Sequence, residues 1–498
     1  MYITESLADY RQDFEELHYL LTDSINRLKR FLSDILKAKK YITHPTYEEI
    51  TATAHHYIDA CRTQIRMVTE CNQAYEFLRT HQTLIGALIT STDWQSPTFL
   101  HATASQAGRQ TNSIYATIND YKRDQHWDAH RYEQAFLKAN IDGLIKFPIQ
   151  VCATTSGMAA FTTILNYLML EHKATRPVLI GKSIYFENKS LIKQAFGDLV
   201  VEVDESNTEQ VIHAIDQYNP SIVFLDSLTN SPDIAVPDLT VITTHLVAHS
   251  KVETYLVLDN TCLSVMFQPY PLVFAKRSKL RLIVFESLNK YHQFGMDRVT
   301  GGIVWSYGGD TGKLFDYRVH LGTNIPDLVA CSLPTPNRLI LTKRLLRHHR
   351  NTSIITQSLQ EWVTAHPNAS VSEIVFPGLP NHPSYDWVKH RSFHGSYFMI
   401  RFKKKYRTIS SYKRFVTAII QTAKRSRVNL VSGTTFGTNT TRVYLTAIRS
   451  KPNTPFIRVS VGTENKQEVE AIITVFKKVF TRFHYFRILF DRSAARSS

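Results

Sequence analysis

Cysteine is scarce in this chain. Its 498 residues hold five, Cys61, Cys71, Cys152, Cys262 and Cys331, and these form neither a metal-ligand spacing nor a disulfide framework. Long apolar runs are missing too, so no stretch reads as a membrane span. The opening Met1-Tyr2-Ile3-Thr4-Glu5 lacks the basic-then-apolar pattern of a signal peptide. No internal repeat and no low-complexity tract occurs. Together these absences exclude a disulfide scaffold and a transmembrane protein, and they fit a reducing, cytoplasmic setting.

Acidic residues are also short: 43 Asp and Glu stand against 58 Lys and Arg, a formal charge of +15. Much of the excess falls late, at Arg344, Arg347 and Arg350, at Arg401 to Lys405 with Arg407, at Lys413-Arg414, and at Lys424-Arg425 with Arg427. A solvated basic surface is the preferred reading. The sharper alternative is an anionic partner such as nucleic acid or an acidic membrane face, but no nucleic-acid motif accompanies the charges. The 21 histidines show no metal spacing, and His55-His56 and His348-His349 read as solvated.

What is present is enough for several cores, since 498 residues exceed one domain. Residues 1–110 read as a helical N-terminal extension. Leu17, Leu21, Ile25, Leu28, Leu32 and Ile35 recur at three- and four-residue steps and make one apolar face. Pro45 breaks the pattern, and Thr46 with Glu49 resembles a capping box for a helix running to about Arg79. This region is assigned to packing or subunit contact. Residues 111–335 read as an α/β large domain. Short β-rich runs at Val178–Ile180, Leu199–Val203, Ile222–Leu225, Tyr255–Leu258 and Leu280–Phe285 alternate with helical segments such as Glu209 to Tyr218. That alternation predicts a mainly parallel sheet covered on both faces. Residues 336–498 read as a smaller α+β domain. It has a basic helix over Asn337 to Trp362, strands at Tyr397–Phe402 and Ile457–Val461, and helices around Tyr412–Arg425 and Glu468–Phe480.

In parallel sheets ligands bind beyond the carboxyl ends of the strands. Asp226, Asp259 and Lys290 each fall at or just past such an end. Lys290 follows the apolar run Leu280 to Val284, and the Gly301-Gly302 pair lies close behind it. Desolvation at the end of a buried strand lowers a lysine's pKa and makes its neutral amine accessible, as Schiff-base chemistry with an aldehyde requires. Asp259 ends a second apolar strand and supplies a carboxylate for a pyridine nitrogen. The pair points to pyridoxal phosphate (PLP). Thr154-Thr155-Ser156-Gly157-Met158 opens a helix, and helix N-terminal amides bind phosphate.

These pieces, in this order, resemble the PLP-dependent trans-sulfuration family of cysteine and methionine metabolism, from about Tyr121 to about Phe480. The resemblance implies roles. Tyr121 and Arg123 would reach the cofactor phosphate of a neighbouring subunit, so a homodimer or homotetramer is expected. Ser156, Gly157, Met158 and Ser287 would hold the phosphate, and Tyr185 would stack on the ring and shuttle protons, with Phe186 its rival. Asn230 would contact the cofactor hydroxyl. Asp259, with Thr261, forms the pyridine-nitrogen motif. Lys290 would form the Schiff base and act as general base, and Arg458 would hold the substrate carboxylate. Cys262 reads as buried packing. There are departures. Asn289 replaces a threonine, Leu228 and Ser231 replace prolines, Phe294-Gly295 replaces Gly-His, and His126-Trp127-Asp128 replaces Asn-Pro-Thr.

The expected activity is elimination or replacement at the β or γ carbon of a sulfur amino acid or an activated homoserine. Two alternatives stand beside it: another amino-acid reaction on the same fold, or a non-catalytic binding protein on a degraded enzyme fold. No metal and no membrane enters either reading.

Overall fold

The computed structural model describes residues 2–38, 46–67, 71–91, 127–142, 149–273, 278–307, 309–446 and 455–494. The chain begins with α1 (Tyr2–Ala38), α2 (Thr46–Arg66) and α3 (Cys71–Thr90). The stripe from Leu17 to Ile35 is buried along its whole length. The single helix expected up to Arg79 is instead two, because the chain turns at Met67, whose amide donates to Thr63 O and Gln64 O. Ala54, Ile58 and Cys61 on α2 and Ala74, Leu78 and Ile85 on α3 share one core with the α1 stripe. A straight helix could not bring both sets to the same side.

Next come α4 (Trp127–Asn140), β1 (Ile149–Thr154), α5 (Gly157–Leu170), β2 (Val178–Gly181), α6 (Phe186–Phe196), β3 (Val200–Val203), α7 (Thr208–Tyr218), β4 (Ile222–Asp226), α8 (Leu239–His249), β5 (Thr254–Asp259), β6 (Leu280–Ser287) and β7 (Gly302–Tyr307). The seven strands form one sheet in the order β1-β7-β6-β5-β4-β2-β3. Pairing from β6 through β3 is parallel, while β7 runs antiparallel to β6 and to β1. Every residue of β4, and all of β5 but its last, is buried, as expected of inner strands covered by helices on both faces. The alternation of the sequence therefore predicts the parallel part of the sheet, though β1 and β7 are not among the expected strands.

The chain continues through α9 (Asp310–His320), α10 (Asp327–Ser332), α11 (Arg338–Ala365), β8 (Val371–Val375), β9 (Tyr397–Phe402), α12 (Ile409–Arg425), β10 (Val431–Ser432), β11 (Arg442–Thr446), β12 (Phe456–Ser460) and α13 (Lys466–Ala494). A second sheet has the order β10-β11-β12-β9-β8. Its apolar face shares a core with α11, α12 and α13, through Ile355, Leu359, Phe415, Ile419, Ile472 and Phe476.

Two readings of the basic residues need correction. Arg344 and Arg347 on α11 are not solvated but 1% and 5% exposed. Arg344 donates to Glu16 Oε1 (2.7 Å), Arg347 to Asp13 Oδ1 (2.6 Å), and Arg350 to Asp9 Oδ1 (2.6 Å). The acids all lie on α1, so the positive run of α11 is neutralised across a helix–helix contact. His348 and His349 are not solvated either. His348 is fully buried and shares Nδ1 with Val461 O (2.8 Å). Burial lowers the pKa of both imidazoles, to about 4 for His349. His55 and His56 are exposed, as expected.

Candidate active site

The carboxyl ends of β4, β5 and β6 open into a cavity of about 1290 Å³. Its walls come from both sheets. The large sheet contributes Ser156, Gly157, Met158, Tyr185, Asn230, Asp259, Thr261, Ser287 and Lys290, and the small one contributes Tyr444, Phe456 and Arg458. Ten of the residues singled out in the sequence thus share one cavity. Tyr121 and Arg123 lie outside the described residues.

The turn at Ser156-Gly157, expected to hold a phosphate, is built by close approach. Ser156 caps α5, its Oγ accepting from Ala159 N (3.0 Å). A Cβ on Gly157 would lie 2.8 Å from Ser287 Cβ, and one on Gly302 would lie 2.1 Å from Ser156 O. Only glycine lets the strand β7, the end of β6 and the start of α5 meet, leaving helix-start amides beside the cavity.

The carboxylates sit side by side at the strand ends. Asp226 Oδ2 accepts from Tyr185 N (2.9 Å), which fixes the residue before α6. Asp259 Oδ1 accepts from Thr261 N (2.9 Å), and Thr261 Oγ1 accepts from Ser287 N (2.9 Å). Thr261 thereby ties the end of β5 to the end of β6. Burial raises the pKa of both aspartates, and the charge of Asp259 raises Asp226 further. The hydrogen bond from Thr261 lowers Asp259. Asp259 is therefore the better carrier of the negative charge.

Lys290 Nζ donates to Thr435 Oγ1 (3.3 Å) and lies 5.4 Å from the centre of the Phe436 ring. Burial lowers its pKa first, and the nearby Arg458 cation lowers it further. Arg458, on β12, is 4% exposed. It donates to Asn230 Oδ1 (2.8 Å) and to Thr434 O. Asn230 is thus oriented by the arginine in this structure. Tyr185 and Phe186 both line the cavity, but Phe186 is 53% exposed and Tyr185 half-buried, which favours Tyr185 for a stacking role. Burial and the Glu187 carboxylate raise the Tyr185 pKa, so its hydroxyl stays protonated.

Some details escaped the sequence. Cys262 is half-buried on the cavity wall rather than sealed in packing, and Tyr397 OH donates to its Sγ (3.3 Å). Asn289, also on the cavity wall, ties back to the Gly301-Gly302 pair, its Oδ1 accepting from Gly301 N (2.9 Å). Thr434, Thr435 and Phe436 touch Arg458 and Lys290 and were not anticipated. Their only signal is the Gly433 to Gly437 bracket, which marks a loop but no chemistry.

The residues present fit PLP: a glycine-opened helix start for a phosphate, a buried strand-end carboxylate for a ring nitrogen, and a desolvated amine between them. Fold and site together define a mainly parallel α/β protein with a cavity suited to hold PLP.

The family follows from comparison. A profile described as Cys/Met metabolism PLP-dependent enzyme matches residues 83–475. The chain belongs to that family. It is 25% identical over 357 residues to the bifunctional enzyme flvA of Aspergillus flavus, covering 71% of this chain and 41% of that one. It is 28% identical over 247 residues to the L-methionine gamma-lyase of Fusobacterium nucleatum, covering 48% and 56%. Mouse (Mus musculus) cystathionine gamma-lyase is 26% identical over 334 residues, covering 64% and 76%. This chain therefore spans less than two thirds of the length of flvA and of the bacterial lyase. Among solved structures, a cystathionine gamma synthase from Xanthomonas oryzae pv. oryzae superposes with a TM-score of 0.57 at 19% identity, over 74% of this chain and 88% of that one. The apo form of CalE6, a methionine gamma lyase from Micromonospora echinospora, gives 0.56 at 20%, over 72% and 88%. These structures share the fold.

Proposed function

We propose that this protein catalyses elimination or replacement at the β or γ carbon of a sulfur amino acid or an activated homoserine. The observation that carries the reading is the convergence of Lys290, just past β6, with Asp259 of β5 and Arg458 of β12 on one cavity. PLP, held through Lys290, supplies an electron-withdrawing ring that stabilises negative charge at the substrate's Cα.

The chain's own groups do the rest. Arg458 pairs with the substrate carboxylate, and its hold on Asn230 and Thr434 O fixes the guanidinium plane for a two-point contact. Lys290 Nζ takes the proton from Cα, because burial and Arg458 keep its amine closer to neutral. Asp259 keeps its charge toward the ring nitrogen. Tyr185, on the cavity wall and held protonated, would pack on the ring and could donate a proton to the leaving group. Ser156, Gly157, Met158 and Ser287 hold the phosphate.

The working division is 1–110 helical extension, 111–335 cofactor domain and 336–498 small domain. A homodimer or homotetramer is the working unit, with Tyr121 and Arg123 reaching a neighbour's phosphate. Five free cysteines support a reducing cytoplasm, and no described helix is long and apolar enough to cross a membrane. The test is a visible spectrum with added PLP beside Lys290→Ala, followed by a screen of cystathionine, methionine, cysteine and O-acylhomoserines for thiol and 2-oxo acid release. A cofactor band reducible by borohydride onto Lys290, with turnover of one of these substrates, supports the reading. A band with no turnover of any of them would overturn it.

A further inference from the structure

We propose that the N-terminal helices are an internal brace for the Lys290 segment, with Tyr75 on α3 and Glu16 on α1 as its positioning residues. The inference rests on the catalytic reading of Lys290. Immediately after Lys290 a single 3-10 turn, Tyr291–Gln293, ends at Phe294. Phe294 is in the left-handed region (φ 50°, ψ 39°), which a large side chain adopts only when its surroundings impose it. The N-terminal helices impose it. Tyr75 OH donates to Phe294 O at 2.6 Å, and the Phe294 ring, 2% exposed, lies 5.9 Å from the Tyr19 ring of α1.

The next residue, Gly295 (φ +79°), marks where three elements meet. A Cβ there would be 2.4 Å from Asn439 Oδ1, 2.6 Å from Arg344 Nη2 and 2.7 Å from the Tyr75 hydroxyl. Arg344 carries the contact onward. It donates to Glu16 Oε1 (2.7 Å) on one side, and to Gly437 O (3.0 Å) and Asn439 Oδ1 (2.5 Å) on the other. Gly437 (φ +81°) lies directly on the lysine, since a Cβ there would be 2.9 Å from Lys290 C. The same loop supplies Thr435 to Lys290 Nζ and Thr434 O to Arg458. The extension thus grips the Lys290 turn at Phe294 and, through Arg344, the loop that touches both Lys290 and Arg458. Hydrogen-bonded contacts made from 219 and 328 positions away set the geometry of the reacting amine.

The test is Tyr75→Phe, which removes one hydroxyl and buries no new charge, in the full-length protein. Hydrogen–deuterium exchange of residues 288–296 and 434–439 is read first, because it needs no substrate. The expected result is faster exchange in both segments. A borohydride-trapped Lys290 adduct is expected to form more slowly. With a turned-over substrate, kcat falls roughly ten- to a hundredfold, as a displaced catalytic group causes, and KM stays within about twofold. Lys343→Gln, which breaks the exposed pair with Glu15, is the control and leaves all three readouts as in wild type. Should Tyr75→Phe fail to fold, Asn439→Ala cuts the brace at Arg344 and carries the same expectation. Unchanged exchange and trapping, or a lower unfolding midpoint with wild-type kcat, would overturn the proposal. An inactive wild type with faster exchange in the variant would sink the catalytic reading and leave the brace standing.

Discussion

Asp226 and Asp259 are direct Cα partners on neighbouring parallel strands, and each is the last residue of its strand. Two buried carboxylates at adjacent strand ends cannot both ionise cheaply. Asp226, raised well above its usual value, keeps a proton that the unfolded chain releases above about 3.9. The folded state then binds more protons than the unfolded one, so this residue's contribution to stability falls as pH rises toward its folded pKa. Asp226→Asn removes that effect while keeping an acceptor for Tyr185 N. The unfolding midpoint is expected to drop less between about pH 5 and about pH 8 in the variant than in wild type. Equal drops in a calorimetric comparison would contradict this.

Lys290→Ala removes the amine proposed to hold the cofactor and to move the proton. Turnover is expected to fall by at least roughly 10²–10⁴, the range of a lost general base, and the reducible cofactor band should vanish. Stability should hold or rise slightly, because a lysine whose pKa burial has lowered carries a cost when charged. The sign follows from linkage: between its depressed folded pKa and about 10.4 the unfolded chain binds more protons, so wild-type stability rises with pH there and the variant lacks that rise. Chemical denaturation across that range checks it.

Gly157→Ala places a methyl 2.8 Å from Ser287 Cβ. Overpacking of this kind costs about 1–3 kcal/mol, and here it falls on the proposed phosphate turn. PLP affinity should weaken roughly ten- to a hundredfold in an absorbance titration, with kcat at saturating cofactor less affected. An unchanged dissociation constant would move the phosphate site elsewhere.

Arg458→Lys keeps the charge and loses the planar fork. One charge-assisted hydrogen bond is worth about 1.5–3 kcal/mol, so KM for the amino acid should rise roughly ten- to a hundredfold with the cofactor band intact. Esterifying the substrate carboxylate should erase the difference between wild type and variant. If the ester still discriminates them, Arg458 serves another role.

Asp9, 2% exposed, lies between Arg347 and Arg350. Asp9→Ala removes the carboxylate shared by the buried Arg347, which keeps Asp13, and the half-exposed Arg350, so the cost is that of a lost hydrogen bond to a charged group, about 1.5–3 kcal/mol. The urea midpoint should fall accordingly, with little relief from added salt because the charges are sheltered. A surface-like loss under 1 kcal/mol would mean that α1 is loosely attached.

The particular residues show how far the sequence carries. The strands β4, β5 and β6 were legible because inner parallel strands are continuous apolar runs, and their ends named Asp226, Asp259 and the approach to Lys290. The α1 stripe was legible because a helix repeats its buried face every three to four residues. Arg458 was found only through its resemblance to a family segment, since an arginine on a strand has no local mark of its role. Which arginines of α11 were buried was not legible at all. Their partners, Asp9, Asp13 and Glu16, lie on the first helix, more than 320 positions away.

By itself the sequence determined the local periods, the strand ends and the residue types that make a PLP site, because each of these is encoded within a few residues of chain. Only the tertiary structure decided that Thr435 faces Lys290 Nζ, that Asn230 is held by Arg458, and that α1 and α3 grip the turn after the lysine. Such contacts depend on how separately packed cores close on one another, and burial and charge pairing across distant segments leave no trace in any single segment.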